Sequence, residues 1–275
     1  MKIADALAIR GTVDSYERQE NLWLLEHILG LSALALKYQA DRELSPEQEQ
    51  HYLAGIARIE AGEPLAYVTG SQPFWTLDLK VTPDTLVPRP DTEVLVESCL
   101  QLDLPAQAAI IDLGTGTGAI ALALASERPD WQVTATDIYP PTLAVAKENA
   151  QTHNLERVVF KLGAWFAALG VPAEPRFDLI VSNPPYIAAD DVHMKDLATE
   201  PERALVAAKQ GLSDLEIIIQ QGKHWLKPQG WIALEHGYDQ AAAVQNIFND
   251  AGFVAVRTIL DYGGNDRVTI GLLGV

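Results

Sequence analysis

Cysteine is almost absent from this 275-residue chain: Cys99 is the single one. One thiol excludes an internal disulfide and any thiolate metal cluster, fits a reducing cytoplasm, and reads as a small buried apolar residue. Basic residues are scarce too. Twenty Lys and Arg against 37 Asp and Glu give a formal net charge of −17. No basic run offsets that balance, so the surface repels phosphate backbones and no stable nucleic acid partner is expected. No apolar run approaches the roughly 20 residues that cross a bilayer, and the amino terminus lacks a basic region followed by an apolar core. A cytoplasmic protein without membrane association is expected. The six histidines are scattered. His236 has only Glu235 as a neighbouring ligand, so no metal site is expected.

What is present is a folded protein's composition, with 48% hydrophobic residues, enough for one large core plus a small accessory domain. Residues 1–66 read as a helical domain. Leu22, Leu25, Ile28 and Leu29 fall on one face at helical spacing. Ser45-Pro46-Glu47 places a cap before a proline at the first helical position. Gly62 and Pro64 break the pattern. Residues 67–87 read as an extended or hairpin linker, with Leu77, Leu79 and Val81 alternating with polar residues. Residues 88–275 then alternate strands and helices. Strands are expected at 109–112, 133–137, 158–162, 177–181 and 231–234, helices at 119–125, 142–150 and 215–226, and a final antiparallel pair at 254–260 and 268–272. The fold class expected is α/β, an open Rossmann-like sheet with its chemistry at the carboxyl ends of the strands.

Two loops carry the chemistry. Asp112-Leu113-Gly114-Thr115-Gly116-Thr117-Gly118 follows the first strand of the sheet. Its glycines permit a sharp turn and bring backbone donors close to a ligand. Such spacing also serves dinucleotide enzymes. Asp137, ending the next strand, can accept both hydrogen bonds of a ribose diol, which points to a nucleoside cofactor. The leading Asp112 and the Gly/Thr alternation favour S-adenosyl-L-methionine over NAD, since a methionyl carboxylate could meet the backbone donors of residues 114–118. Trp165 could stack near adenine, or could be an ordinary aromatic.

The second loop, Asn183-Pro184-Pro185-Tyr186, is stiffened by its prolines. The Asn183 side-chain oxygen and the Pro184 carbonyl can accept the two hydrogens of a substrate NH2. Tyr186 can pack on the planar group and exclude water. Direct transfer of a methyl group onto nitrogen follows, with no metal, no covalent nucleophile and proton loss to water. A flipped adenine presents the same NH2 as an amide, so both stay open as occupants.

At this point the chain resembles the bacterial protein-(glutamine-N5) methyltransferase family, most closely its release factor branch. Beyond the two loops, the resemblance rests on Leu86-Val87-Pro88-Arg89-Pro90-Asp91-Thr92-Glu93 and on Asn265-Asp266-Arg267-Val268-Thr269. It implies a seven-stranded class I methyltransferase sheet with a helical substrate-recognition domain and a β-hairpin linker. It also implies Asp137 at the ribose, Trp165 near the adenine, Asn183 near both cofactor and glutamine, and Asn183 to Tyr186 as the substrate site. The implied partner is a class 1 peptide chain release factor, methylated at the glutamine of its Gly-Gly-Gln loop. Glutamine methylation of a ribosomal protein by the sister branch remains open. A monomer is expected. Arg89 and Glu93 are candidates for the wall between strap and catalytic domain, or for a surface pair or a helix-start interaction. Residues 200–205 resemble a family segment bordering the substrate's access, and no catalytic role is assigned to them.

Overall fold

The computed structural model describes residues 1–171, 174–191, 194, 197 and 199–274. The chain divides into two compact units, Met1–Ser71 and Gln72–Val275.

The first unit is helical: α1 (Ile3–Leu7), α2 (Tyr16–Leu29), α3 (Ala33–Tyr38), α4 (Pro46–Glu60) and α5 (Leu65–Thr69). At the start of α4, Ser45 accepts the Gln48 N–H while Gln48 bonds back to the Ser45 N–H, with Pro46 in the first turn. Such a cap is worth about 1 kcal/mol. The buried residues of α2 are Glu20, Asn21, Leu24 and Leu25, whereas Leu22, Ile28 and Leu29 flank them half-buried. Asn21 takes an apolar position because its amide bonds the Leu7 and Arg10 carbonyls. The expected extended stretch begins later than residue 67. Residues 65–69 still form a helical turn, ended by Gly70 in the left-handed region, and only then does the hairpin of β1 (Ser71–Phe74) and β2 (Leu77–Lys80) follow.

The second unit carries a seven-stranded sheet. After α6 (Glu93–Leu100) come β3 (Ala109–Leu113), α7 (Ala119–Glu127), β4 (Gln132–Asp137), α8 (Pro140–Thr152), β5 (Val159–Leu162) and β6 (Phe177–Ser182). Then follow α9 (Ser213–Gly222), β7 (Leu226–Glu235), α10 (Ala241–Asp250), β8 (Phe253–Leu260) and β9 (Asp266–Leu273). The strand order is β5-β4-β3-β6-β7-β9-β8, with β9 antiparallel to both its neighbours and the other pairs parallel. Alternate residues of the central strands feed two cores. Ile110, Leu179 and Val181 pack with α6 and α7, and Ile111, Ile180 and Ile232 pack with α9 and α10. β7 begins five residues before the expected 231, its Leu226 paired with Phe177 ahead of an irregularity in register. α10 was not read from the sequence. The order reverses between β3 and β6, so a crevice opens at their carboxyl ends. Among the described residues, no helix is long and apolar enough to cross a membrane.

Candidate active site

The loop after β3 is shaped by main-chain bonds. The Thr115 N–H donates to the Thr136 carbonyl and the Gly118 N–H to the Thr115 carbonyl, both at 2.8 Å. Gly114, Gly116 and Gly118 all have positive φ, at 72°, 59° and 87°. Their lack of a side chain serves different ends. A Cβ on Gly114 would sit 3.1 Å from the Trp165 ring, and one on Gly118 3.0 Å from Leu122. A Cβ on Gly116 would meet no protein atom within 4 Å. Gly116 therefore borders open space, as a ligand cradle requires.

That space is a cleft of about 290 Å³, lined among others by Gly114, Thr115, Gly116, Thr117, Asp137, Trp165, Asn183 and Pro185. Gly118 is not in its lining. It caps α7 and packs on Leu122 instead. The Asp137 carboxylate is held from behind by the N–H groups of Gly116, at 3.1 Å, and Tyr139, at 3.0 Å. Burial raises its pKa and these backbone donors oppose the rise. A carboxylate so anchored keeps lone pairs for a diol. Trp165 has φ 46°, an unusual backbone state for a bulky residue and one that clusters at ligand sites. Asp112 lies at the back of the cradle, fully buried, with Oδ2 accepting the Thr115 hydroxyl at 2.6 Å. Burial pushes its carboxyl to about 7. A carboxylate for a ribose, an aromatic wall and an open glycine turn at a helix start together fit a nucleoside cofactor with an acidic tail.

β6 delivers the second loop to the adjacent position. The Ser182 hydroxyl donates to the Leu113 carbonyl at 2.6 Å, fastening the end of β6 to the end of β3. Asn183 then lies in the wall of the large cleft and of a second, smaller cavity of about 90 Å³. Pro184, Tyr186, Ile187 and Leu205 line the smaller one. Pro185 faces the large cleft and not the small one. The Asn183 amide donates through Nδ2 to the Thr92 hydroxyl at 3.2 Å, which leaves Oδ1 as its acceptor. The Tyr186 hydroxyl donates to Glu235 Oε1 at 3.2 Å. Burial, followed by the Glu235 charge, raises the phenol pKa, so Tyr186 stays neutral.

Arg89 and Glu93 do not pair. Arg89 lines both cavities and bonds the buried Glu200, which also accepts the Val87 N–H at 3.2 Å. Glu93 instead accepts the Trp75 N–H at 2.8 Å beside the hairpin. Residues 200–205 thus hold the wall of the site in place through a carboxylate.

Residues 105–261 match the family described as "Methyltransferase domain", and residues 4–70 match "PrmC N-terminal domain". A protein of Vibrio cholerae named Release factor glutamine methyltransferase is 49% identical over 218 residues, 78% of this chain and 76% of its own. One of the same name from Salmonella typhimurium is 46% identical over 261 residues, 94% of this chain and 92% of its own. The chain belongs to the release factor glutamine methyltransferase family. A methyltransferase structure from Pyrococcus furiosus superposes with a TM-score of 0.56 at 19% identity, covering 84% of this chain and all of that one, which shows the class I methyltransferase fold. The enzyme is therefore an S-adenosylmethionine-dependent methyltransferase, as the resemblance implied.

Two residues of this methyltransferase's site escape a motif reading. Glu235 stands in the sequence beside His236 with no motif around it, and Glu200 lies outside both loops. The signal available for Glu235 was a carboxylate closing the apolar run Trp231 to Leu234, a costly place for a charge unless something uses it. His236 is buried with a lowered pKa, bonded to the Gly237 carbonyl and the Thr269 hydroxyl, as a structural histidine would be.

Proposed function

We propose that this chain transfers a methyl group from S-adenosyl-L-methionine to the side-chain amide nitrogen of the glutamine in the Gly-Gly-Gln loop of class 1 peptide chain release factors. The observation that carries this is the position of Asn183, in the wall shared by the large cleft and the small cavity. The large cleft would take the cofactor, with its ribose on Asp137, its adenine beside Trp165 and its methionyl part along residues 114–117. When bound, the cofactor supplies an electrophilic sulfonium methyl. The small cavity, walled by Leu86, Ile187 and Leu205, suits the narrow stem of a glutamine. Asn183 Oδ1 and the Pro184 carbonyl accept the two amide hydrogens, which turns the nitrogen lone pair toward the methyl and weakens amide resonance. Tyr186 packs against the amide plane and keeps water out. Direct transfer of that methyl to the nitrogen so held would leave one extra proton on it, to be lost to water.

The helical unit, residues 1–71, would recognise the protein partner. It exposes Tyr16, Trp23 and Tyr38, side-chain types favoured at interfaces. The reaction would run in the cytoplasm with one copy of the chain, and the charge of −17 disfavours a nucleic acid substrate.

The deciding experiment gives purified enzyme and labelled methyl donor a mixture of release factor, ribosomal proteins and DNA, and maps the product by mass spectrometry. A methyl group on the Gly-Gly-Gln glutamine is expected, unaffected by nuclease and abolished when that glutamine is replaced. Unchanged release factor mass overturns the proposal.

A further inference from the structure

Beneath the transfer loop lies a carboxylate that neither loop motif contains. Glu235 closes β7 with 1% exposure. Its Oε1 accepts the Tyr186 hydroxyl, while Oε2 has no hydrogen-bond partner among the described residues. The Thr92 hydroxyl stands near enough to favour the charged carboxylate, although the pair does not close into a regular hydrogen bond. Thr92 Oγ1 in turn accepts Asn183 Nδ2 at 3.2 Å.

A hydroxyl that accepts a hydrogen bond still has one proton to give. Glu235 Oε2 is a buried acceptor lacking a donor, and Thr92 is the hydroxyl beside it with a proton to give. We propose that Glu235 is a positioning residue that fixes the polarity of this chain of hydrogen bonds: Thr92 donates to Glu235, so it accepts from Asn183 Nδ2, so Asn183 presents Oδ1 to the substrate NH2. The inference rests on the role given to Asn183 above. The two ends of an asparagine amide have nearly the same shape and differ in hydrogen-bonding sense. With Oδ1 inward, the site receives the substrate's hydrogens. Flipped, it would set an NH2 against an NH2. The same carboxylate holds Tyr186, so one buried group orients two side chains of the tetrapeptide.

The charge on Glu235 is what makes the device directional. A carboxylate only accepts, whereas a carboxylic acid can donate to Thr92 and release the constraint. The groups facing it are the Tyr186 phenol from the transfer loop, Asp91 and Thr92 from the turn before α6, and Arg267 from β9. Arg267 is committed to Asp261 at 3.0 Å, lies 3.6 Å from Asp91 and reaches the carbonyl of the next residue, His236, at 3.4 Å. No cation among the described residues forms an ion pair with Glu235. Burial therefore dominates and lifts its carboxyl to about 7, with Thr92, Arg267 and Tyr186 opposing the rise and Asp91 adding to it. Turnover should fall as pH drops through that value.

The test uses the full chain and four variants, with kcat, KM for release factor, cofactor affinity by calorimetry and thermal midpoint measured for each. Glu235→Gln keeps the shape but adds a donor, and kcat should fall about tenfold to a hundredfold, the scale of misaligned reacting groups. KM and cofactor affinity should stay near wild type, and the limb of the kcat–pH profile near 7 should vanish. Thr92→Val should lose kcat similarly, and Thr92→Ser should recover most of that loss. Wild-type kcat in Glu235→Gln, or a pH limb that persists in it, overturns the inference. Should Glu235→Gln fail to fold, the Thr92 pair decides alone: equal rates in the valine and serine variants overturn it. Asn183→Ala, run in parallel, separates the two layers. Loss of turnover there with full activity in Glu235→Gln removes only Glu235's role, whereas full turnover in Asn183→Ala removes the role of the transfer loop itself.

Discussion

The loop after β3 keeps its shape with main-chain hydrogen bonds and with the side chains of Asp112, Asp137 and Asn149, which bond the Thr115 hydroxyl, the Gly116 N–H and the Thr117 carbonyl. The loop after β6 borrows side chains from far away. Thr92 lies 91 residues from Asn183, Glu235 lies 49 from Tyr186, and Gln240, whose amide bonds the Tyr186 carbonyl at 2.9 Å, lies 54 from it. Both loops stand at the carboxyl ends of neighbouring parallel strands, yet one presents its backbone to the cleft and the other the side chains of an assembly drawn from distant segments. The difference follows from their tasks. A cofactor's ribose and carboxylate can be met by a glycine turn and one acid, because N–H groups come with any backbone. Orienting a neutral NH2 needs acceptors of fixed sense, and only a network with a committed acceptor at its end fixes that sense.

Changes to each loop should therefore fail in different ways. The largest effect is expected for Asn183→Ala, with kcat reduced about 10²–10³-fold, the range for removing one preorganised polar group. Calorimetry should show most of the cofactor affinity retained, and a parallel loss of both would mean that the two loops are not separable. Next comes Gly211→Ala. At φ 82°, a Cβ there would lie 1.9 Å from the Tyr186 carbonyl oxygen. The backbone must move, at a cost of about 2–3 kcal/mol, read as a lower denaturant midpoint together with reduced kcat.

Gly116→Ala is the counterpart in the cradle. Its Cβ meets open space, so the fold should lose only about 1 kcal/mol from the left-handed backbone while cofactor affinity falls. Equal cofactor affinity would mean that residue 116 does not face the ligand. A fourth contrast is in pH. Glu235 and Asp112 are both raised to about 7 by burial. Their unfolded values lie near 4, so their contribution to stability is present below that and is lost as pH rises through about 7. Glu235→Gln should thus gain in thermal midpoint relative to wild type between pH 5 and 8, the opposite direction to its effect on turnover. Parallel midpoint curves would show that the Glu235 carboxyl is ionised in the fold throughout that range, its pKa not raised by burial. The smallest effect is expected for Ser182→Ala, which removes the tie to the Leu113 carbonyl. A loss of about 1 kcal/mol in stability, with modest changes in both cofactor affinity and kcat, would mark the side-chain tie between the strand ends that carry the two loops.

Much of this was legible in the residues. The glycines at 114, 116 and 118 do sit at positive φ, and Asp137 does end the neighbouring strand with its carboxylate at the cleft. The proline-stiffened loop follows β6 as its pattern implied. Element edges moved where packing outweighed pattern. α2 buries Asn21, an amide that no hydrophobic count would choose, because the carbonyls of Leu7 at the end of α1 and of Arg10 take its hydrogens. β7 starts at Leu226 because Phe177 offers it a partner before the central pairing begins. α10 lay in a stretch where no motif called for attention, although its apolar face closes one core.

The sequence by itself determined the sheet, the methyl donor class and the tetrapeptide proposed to hold nitrogen, since each depends on local backbone geometry or on neighbours a few residues apart. Tertiary structure alone decided which way the Asn183 amide faces, why Gly211 must be glycine, and that Glu235 is a partner and not a bystander. Those facts depend on burial and on contacts between segments tens of residues apart. A buried carboxylate acquires its meaning from the hydroxyls folded against it, and no spacing along the chain records them.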